Sequence, residues 1–214
     1  MDKEWITMVA SFKLTQTTAQ IEKEITKALI KEINYTFKNS LGKMLSPIRR
    51  VVASAIESSP VISELNTGVL RADFGIPIGR DVSTPIVQAV ANSTYVDMKT
   101  FSAQGKKISG GVFVYIQPSS FANLMSLASG EVVTEKGTRL PWLDWLLNLG
   151  DAIIIADFGV EYGSFGRSGE GHMISKARPF KVNTSFSGTA EHNFITKALD
   201  KHVGEIAKVI ERSI

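Results

Sequence analysis

The chain contains no cysteine. A disulfide framework, a thiol nucleophile and any zinc or iron–sulfur site with cysteine ligands are therefore excluded. Histidine is scarce as well, with residues only at positions 172, 192 and 202. They form no HExxH pair, and on one helix the spacing of His192 and His202 would place them about 80° apart. The sequence therefore predicts neither a metal site nor a bound cofactor.

A long uninterrupted apolar run is also missing. The most apolar stretch, residues 140–160, is interrupted by four polar residues: Asp144, Asn148, Asp151 and Asp157. A membrane span needs about 20 largely uncharged residues. The chain begins Met-Asp-Lys-Glu-Trp, which carries acidic side chains and lacks the apolar region of a secretory signal. We expect a protein that does not cross a membrane and that stays inside the cell.

Catalytic motifs are absent too. No G-x-S-x-G nucleophile motif occurs, and the glycine-rich segment 163–171 is not followed by the Gly-Lys-Ser/Thr of a phosphate-binding loop. Asp144, Asp151 and Asp157 could in principle form a carboxylate cluster for metal-dependent hydrolysis. Their simpler interpretation is structural, because Asp144 lies on a short helix and Asp151 follows a helix-ending glycine. We therefore predict that the protein is not an enzyme.

What is present fits one compact domain spanning residues 1–214. The chain is 43% hydrophobic and 21% charged, with a net charge of only +3, which is ordinary for a folded protein and mild for a nucleic-acid binder. Its charges are nevertheless segregated. Basic residues gather in two segments: Lys38, Lys43, Arg49 and Arg50, then Arg167, Lys176, Arg178 and Lys181. Six acidic residues lie in 131–161 between them. Such segregation allows like subunits to meet through opposite surfaces, although a patchy solvated surface is the alternative.

The longest element is predicted near the N-terminus. Thr17 and Gln20 form a possible capping box, so a helix begins near Thr18 and extends to about residue 45. Its apolar residues recur every four positions from Ile21 to Leu45, and such a stripe drifts about 40° per step around the helix. Part of the stripe must then face neighbouring elements or another subunit. The alternative is a bend or break at residues 39–42.

A mixed region of short elements follows, over about residues 46–186. Proline or glycine marks its short helices, at Ser46-Pro47, Ser59-Pro60, Thr84-Pro85, 119–129 and 140–149. Alternating or β-branched residues predict strands at 70–78, 94–101 and 112–116, the last with both faces covered. Residues 153–155 and 159–162 predict a further strand or a hairpin. A last amphipathic helix is expected over 189–213. The predicted class is α+β, with long terminal helices packed on a small, mainly antiparallel sheet.

Residues 163–176 are too long and glycine-rich for an ordinary connection. We interpret them as a flexible arm that orders on a partner, with Arg167 and Arg178 as its anchors. A plain hairpin tip is the alternative.

The C-terminal part resembles the tail-completion or neck proteins of tailed bacteriophages. The resemblance begins at Leu-Pro-Trp-Leu-Asp-Trp-Leu-Leu (140–147) and continues through the isoleucine-rich strand at 153–157. The Arg-Ser-Gly loop (167–169) and Ser-Gly-Thr-Ala-Glu-His-Asn-Phe-Ile-Thr (187–196), which opens the last helix, complete it. It covers residues 138–214 best, and residues 66–129 match nothing in the family.

The resemblance implies a non-enzymatic virion protein that forms a ring of six or twelve copies in the neck, at the head–tail junction. The ring would join the portal-adaptor complex to the tail terminator, tail tube or sheath, and it would assemble in the host cytoplasm. Genomic DNA in its lumen is a further candidate partner. Eight residues are then expected to contact partners or neighbouring subunits: Arg49, Arg50, Trp142, Trp145, Phe165, Arg167, Lys176 and Arg178.

Two other functions stay open at this point. One is a tail terminator or another tail-assembly protein. The other, from a different class, is a nucleic-acid-binding module that uses the two basic segments.

Overall fold

The computed structural model describes residues 15–105, 107–175 and 178–214. Lys176, one of the expected contact residues, lies outside them. The helices are α1 (Thr18–Glu57), α2 (Pro60–Thr67), α3 (Val69–Asp73), α4 (Ser83–Ser93), α5 (Ala122–Met125), α6 (Trp142–Asn148) and α7 (Phe194–Ser213). The strands are β1 (Tyr95–Gln104), β2 (Lys107–Tyr115), β3 (Val132–Val133), β4 (Arg139–Leu140), β5 (Phe158–Tyr162) and β6 (Gly171–Ser175). The predicted α+β class is confirmed.

The buried apolar side chains form one continuous core to which most elements contribute. Met44 of α1, Leu65 of α2, Ile86 of α4, Trp142 of α6 and Ile195 of α7 are all completely buried in it. None of the helices in the described residues is long and apolar enough to cross a membrane.

Helix α1 begins where the sequence predicts. The Thr17 hydroxyl accepts a hydrogen bond from the Gln20 backbone N–H, and the Gln20 side chain accepts one from the Thr17 N–H at 2.8 Å. This reciprocal pair is the predicted capping box. It satisfies two of the donors that a helix start otherwise leaves without partners.

The predicted end of α1 near residue 45 and the separate helix at Ser46-Pro47 are wrong, because α1 continues through Pro47 to Glu57. A proline inside a helix costs about 3 kcal/mol, since it removes a backbone hydrogen bond and crowds the preceding turn. Met44, Ile48 and Val52 lie on one completely buried face that crosses this position. Burying each such side chain contributes about 1.5–3 kcal/mol, which offsets the cost of the proline.

The apolar stripe of α1 winds out of the core, as its spacing of four predicts. In the second half of the helix one face is buried in the core, whereas Ile25 and Leu29 in the first half are 61% and 49% exposed. No break occurs at residues 39–42. The first half of α1 therefore presents apolar side chains on its surface.

The strand predicted from Leu70 to Ile78 is also wrong. Helix α3 occupies its first part, and a turn with Gly75 at φ +59° follows. The alternation of apolar and polar residues suggested a strand with its polar residues facing solvent. In the structure these polar residues are buried, with Arg71 and Asp73 only 7% and 4% exposed. The Arg71 guanidinium donates hydrogen bonds to the carbonyls of Asn66 and Pro77 and so holds the chain folded back after α3.

The strands in the described residues pair as three separate two-stranded antiparallel sheets, β1–β2, β3–β4 and β5–β6. In the largest, Tyr95 lies opposite Tyr115 and Val96 opposite Val114. The expectation that residues 112–116 are covered on both faces is wrong. Val112 and Val114 pack against the core, whereas Phe113 and Tyr115 on the other face are 44% and 45% exposed.

Helix α7 begins five residues later than predicted. The Asn193 side chain accepts hydrogen bonds from the N–H groups of Ile195 (3.0 Å) and Thr196 (3.2 Å), and the Thr196 hydroxyl completes a capping box. Thr189 instead closes a turn before the helix, where its hydroxyl accepts from the His192 N–H. Threonine and asparagine are both ordinary N-cap residue types, so residue type alone did not distinguish position 189 from position 193.

The two possible caps make a direct test. Asn193→Ala removes the observed cap and is expected to lower the free energy of unfolding by about 1–2 kcal/mol. Thr189→Ala is the matched control and is expected to cost less than half as much. Urea unfolding followed by circular dichroism measures both values. A larger loss for Thr189→Ala would place the cap at the earlier position and contradict the structure.

Candidate functional site

The two tryptophans expected at a subunit contact are part of the core. Trp142 is completely buried, its ring stacks on Phe74 at a centroid distance of 5.4 Å, and its Nε1–H donates to the Ser129 carbonyl at 3.1 Å. Trp145 packs edge-on against Phe180 at 6.1 Å. Helix α6 therefore uses its Pro-Trp motif to anchor the fold. This corrects the expected contact role of both residues.

The adjacent arginines Arg49 and Arg50 have different roles. The Arg49 guanidinium donates to the Thr94 carbonyl at 3.0 and 3.2 Å and to the Asn92 carbonyl at 3.0 Å. These carbonyls lie at the C-terminal end of α4, where a cation is favourable. Arg49 thus braces α1 against the start of β1, and its side chain is half-buried. Arg50 is exposed and remains available at the surface.

Residues 163–175, the described part of the predicted arm, form the β5–β6 hairpin loop and the strand after it. The Arg167 guanidinium donates to the carbonyls of Gly75 and Val133, both at 2.9 Å, and the Arg167 carbonyl accepts from the Ile78 N–H. Ser168 at the tip is 2% exposed. The segment therefore packs on its own chain, where Arg167 holds it, although the Arg167 side chain is itself exposed.

Besides Arg167, two other expected contact residues from this region lie at the surface. Phe165 is partly exposed and packs against the His172 ring at a centroid distance of 4.7 Å. Arg178 is exposed and, with Lys181, lines a surface cavity of about 630 Å³. Together with Arg50, these residues keep their predicted availability.

That cavity also contains a buried acid. Asp73 accepts a hydrogen bond from the Tyr162 hydroxyl at 2.6 Å, although the two residues are 89 positions apart. The pKa of the Asp73 carboxyl is raised to about 6. Burial is the main cause of this rise, the hydrogen bond from Tyr162 opposes it, and the charge of Glu64 adds to it. Burial, together with the bond to Asp73 and its charge, raises the pKa of Tyr162. The pair holds α3 to β5, and no sequence pattern pointed to it.

The most prominent exposed feature is an aromatic ladder, which we define as Tyr95, Phe113 and Tyr115 on the outer face of the β1–β2 sheet. The rings of Tyr95 and Tyr115 stack at 4.6 Å, and Phe113 lies 6.5 Å from Tyr115. All three side chains are about half exposed. Sequence reasoning missed the ladder because it assigned both faces of this strand to the core.

The three aspartates considered for metal chemistry do not assemble into a site. Asp144 accepts a hydrogen bond from Asn148 one turn along α6, at 2.8 Å. Across residues 15–105, 107–175 and 178–214, no group of three His, Asp or Glu side chains could hold a metal ion.

Comparison of the chain with family models, with curated proteins and with solved structures finds no significant match.

The arginine pair gives a matched mutational test. Arg49→Met retains apolar bulk but leaves the Thr94 carbonyl, at a buried residue, without this donor, so we expect a loss of about 1–3 kcal/mol in the free energy of unfolding. Arg50→Met removes the same charge from an exposed position and should cost less than about 0.5 kcal/mol. Urea unfolding at pH 7 measures both. Equal losses of unfolding free energy in the two variants would mean that Arg49 does not brace α1 against the start of β1.

The raised pKa of Asp73 predicts a dependence of stability on pH. The folded state binds the proton of the Asp73 carboxyl more tightly than the unfolded chain does. The stabilisation that protonated Asp73 gives the folded state is therefore complete below pH 4 and is lost as the pH rises through 6. The shift from 3.8 to about 6 corresponds to about 3 kcal/mol at most. Asp73→Asn should remove this decline.

Asp81→Asn is the control, because hydrogen bonds from Thr84 and Ser83 lower the pKa of Asp81 and its effect has the opposite sign. Urea unfolding between pH 4 and pH 8 compares the three proteins. If the profiles of wild type and Asp73→Asn run parallel, the Asp73 carboxyl does not titrate in this way.

Proposed function

We propose that this protein is a structural component of a bacteriophage neck, where copies form a ring that joins the portal-adaptor complex to the tail. The order of motifs over residues 138–214 supports the proposal. In the structure each motif has a defined role: α6 anchors the core, Arg167 holds the hairpin loop, and Asn193 caps α7.

The aromatic ladder is the observation that carries the proposal. Three adjacent aromatic side chains, each about half exposed, leave apolar area in water that a partner surface would cover. Aromatic residues are also over-represented where protein interfaces gain most of their binding energy. Asp97, opposite Phe113, and Lys99 add charges to the same strand pair, which suits a contact that must be specific.

The distribution of charge supports a head-to-tail contact between copies. Lys38, Lys43 and Arg50 are exposed along α1, whereas Glu135 and Asp157 are exposed in the acidic segment. In a heterologous contact, one surface of a copy binds a different surface of the next copy. Repetition of this contact closes a ring when the rotation between successive copies permits it. Opposite charges on those surfaces favour this arrangement over random association.

The location of the protein in virus particles is the decisive test. A small tag after Ile214, labelled with an electron-dense probe, should appear as a ring at the head–tail junction in cryo-electron micrographs. Unlabelled particles, with the tagged protein expressed and the tag accessible in solution, would overturn the proposal. Steeply salt-dependent DNA binding in that case would favour the nucleic-acid module.

The ladder can be tested separately. The double variant Phe113→Ser, Tyr115→Ser should reduce incorporation into particles at least tenfold, because buried aromatic residues at interface centres contribute about 2 kcal/mol or more. Tyr35→Ser is the control, since Tyr35 is an aromatic residue on α1 that is more exposed than either ladder residue, at 65%. Quantitative immunoblots of purified particles measure incorporation, and thermal unfolding confirms that both variants fold. Normal incorporation of the double variant would exclude the ladder as the contact surface.

A further inference from the structure

The two strands of the β1–β2 sheet differ in how well their edges are protected. On β1, the Asn34 side-chain amide donates to the Phe101 carbonyl at 2.9 Å and accepts from the Phe101 N–H at 2.8 Å. β1 also carries a bulge between Lys99 and Ser102, and Asp97 adds a second charge to this strand. Bulges, charged side chains and a covered backbone are the features by which proteins keep an edge strand from pairing further.

The edge of β2 lacks these features beyond Lys107 at its start. Across residues 15–105, 107–175 and 178–214, only β1 pairs with β2, and no other group forms a hydrogen bond with the backbone of residues 108–115. No charged residue occurs from position 108 to position 130, and Pro118 comes only after the strand. Alternate residues of an antiparallel strand direct their N–H and C=O groups away from its neighbour. The outer edge of β2 is therefore a row of backbone groups suited to pairing with another strand.

Gly111 is an independent sign that another chain approaches β2. Glycine in the interior of a strand weakens it, because glycine loses more conformational freedom on folding than other residues. The packing of the described residues does not require glycine here, since an added Cβ would meet only the Phe113 ring, at 3.8 Å. Gly110 differs, because a Cβ there would lie 2.5 Å from the Phe101 backbone. A strand glycine that its own chain does not explain is typical of a site where another backbone comes close.

We propose that β2 pairs antiparallel with β2 of a second copy, about a two-fold axis at Val112. The two-stranded sheets of both copies then join into one four-stranded sheet. A strand edge that pairs with itself in this way needs no second surface, because each copy presents the same groups to the other. The uncharged sequence of the edge allows the strands to approach without repulsion between like charges.

The sizes of the side chains favour an axis at Val112. With Val112 opposite itself, Phe113 of one copy lies opposite Gly111 of the other, and Tyr115 lies opposite Ser109. Large and small side chains then face each other across the contact, which fills the space between the strands. An axis at Gly111 would leave two glycines opposite each other, and an axis at Phe113 would oppose two large rings.

The pairing also extends the aromatic ladder. Phe113 of each copy becomes a diagonal neighbour of Phe113 of the other, about 7–8 Å away. The two ladders therefore meet at the axis and form one continuous aromatic surface on the outer face of the joined sheet. The inference goes beyond the proposed function, because a neck protein need not pair through β2.

The absence of native cysteine makes disulfide trapping a clean test. Val112→Cys places its thiol on the axis, opposite the same thiol of the second copy. Two controls carry a cysteine at other half-buried positions on the same face of the sheet. In Val114→Cys the two thiols would be about 14 Å apart, and Met98→Cys changes the residue opposite Val112 on β1.

Mild oxidation of the full-length chains at micromolar concentration should convert Val112→Cys mainly into a covalent dimer, with a yield at least fivefold higher than that of either control. Non-reducing gels measure the yields. Equal yields for Val112→Cys and Val114→Cys would overturn the proposed axis. A higher yield for Met98→Cys, or no covalent dimer of Val112→Cys, would overturn the pairing of β2 itself.

Sedimentation gives a readout that does not depend on engineered cysteines. The unmodified chain should form dimers at micromolar concentration, and Gly111→Glu should raise the dissociation constant at least tenfold, because it places a carboxylate against Phe113 of the second copy. Within its own chain the new carboxylate lies opposite Lys99, which favours the folded hairpin. Ser102→Glu adds the same charge to an exposed position of β1 and should leave the dissociation constant unchanged.

Thermal unfolding confirms that both variants fold. An unmodified chain that stays monomeric throughout the micromolar range, or equal dissociation constants for Gly111→Glu and the unmodified chain, would overturn the inference. Neither result bears on the neck proposal, which the labelling of particles tests separately.

Discussion

The fold depends on one apolar face in the second half of α1. Met44, Ile48, Val52 and Ile56 are completely buried there, and the neighbouring helices contribute Ile86, Val90 and Ile206 to the same core. Burial of these side chains stabilises the structure by several kcal/mol. This burial also determines the path of the chain. The helix continues through Pro47 because Met44 before the proline and Ile48 and Val52 after it lie on the same buried face. The same face leaves the first half of α1 outside the core.

Local signals in the sequence were reliable where the determining interactions are local. The capping box at Thr17, the helix starts at Ser59-Pro60 and Thr84-Pro85, and the end of α6 near Gly150 all involve residues within one turn of each other. The failures at Pro47 and at Leu70 have a different cause. In both places packing against distant elements overrides the preference of the segment, and an alternating pattern has no diagnostic value when Arg71 and Asp73 are buried together with their apolar neighbours.

The candidate site shows the same limit. A sequence can show that Arg49, Arg50 and Arg167 are basic, but not whether the cation binds a carbonyl of its own chain, as Arg49 and Arg167 do. The Asp73–Tyr162 pair joins residues from different elements and leaves no periodic trace. The aromatic ladder requires knowledge of strand register, because only the pairing of Tyr95 with Tyr115 brings its members together. Of the eight expected contact residues, Arg50, Phe165, Arg167 and Arg178 are at the surface in the described structure.

Pro47 stands near the base of the projecting half of α1, where the buried face begins. It deprives the helix of one backbone hydrogen bond at that level, so the helix bends there more easily than elsewhere. Thr18 lies 29 residues away, about 43 Å along the axis. Each degree of bending at the proline therefore moves the tip by about 0.8 Å by simple geometry. Asn34 and Phe37 of this half contact Phe101 of β1, so a bend at the proline would displace the β1–β2 hairpin together with the start of α1.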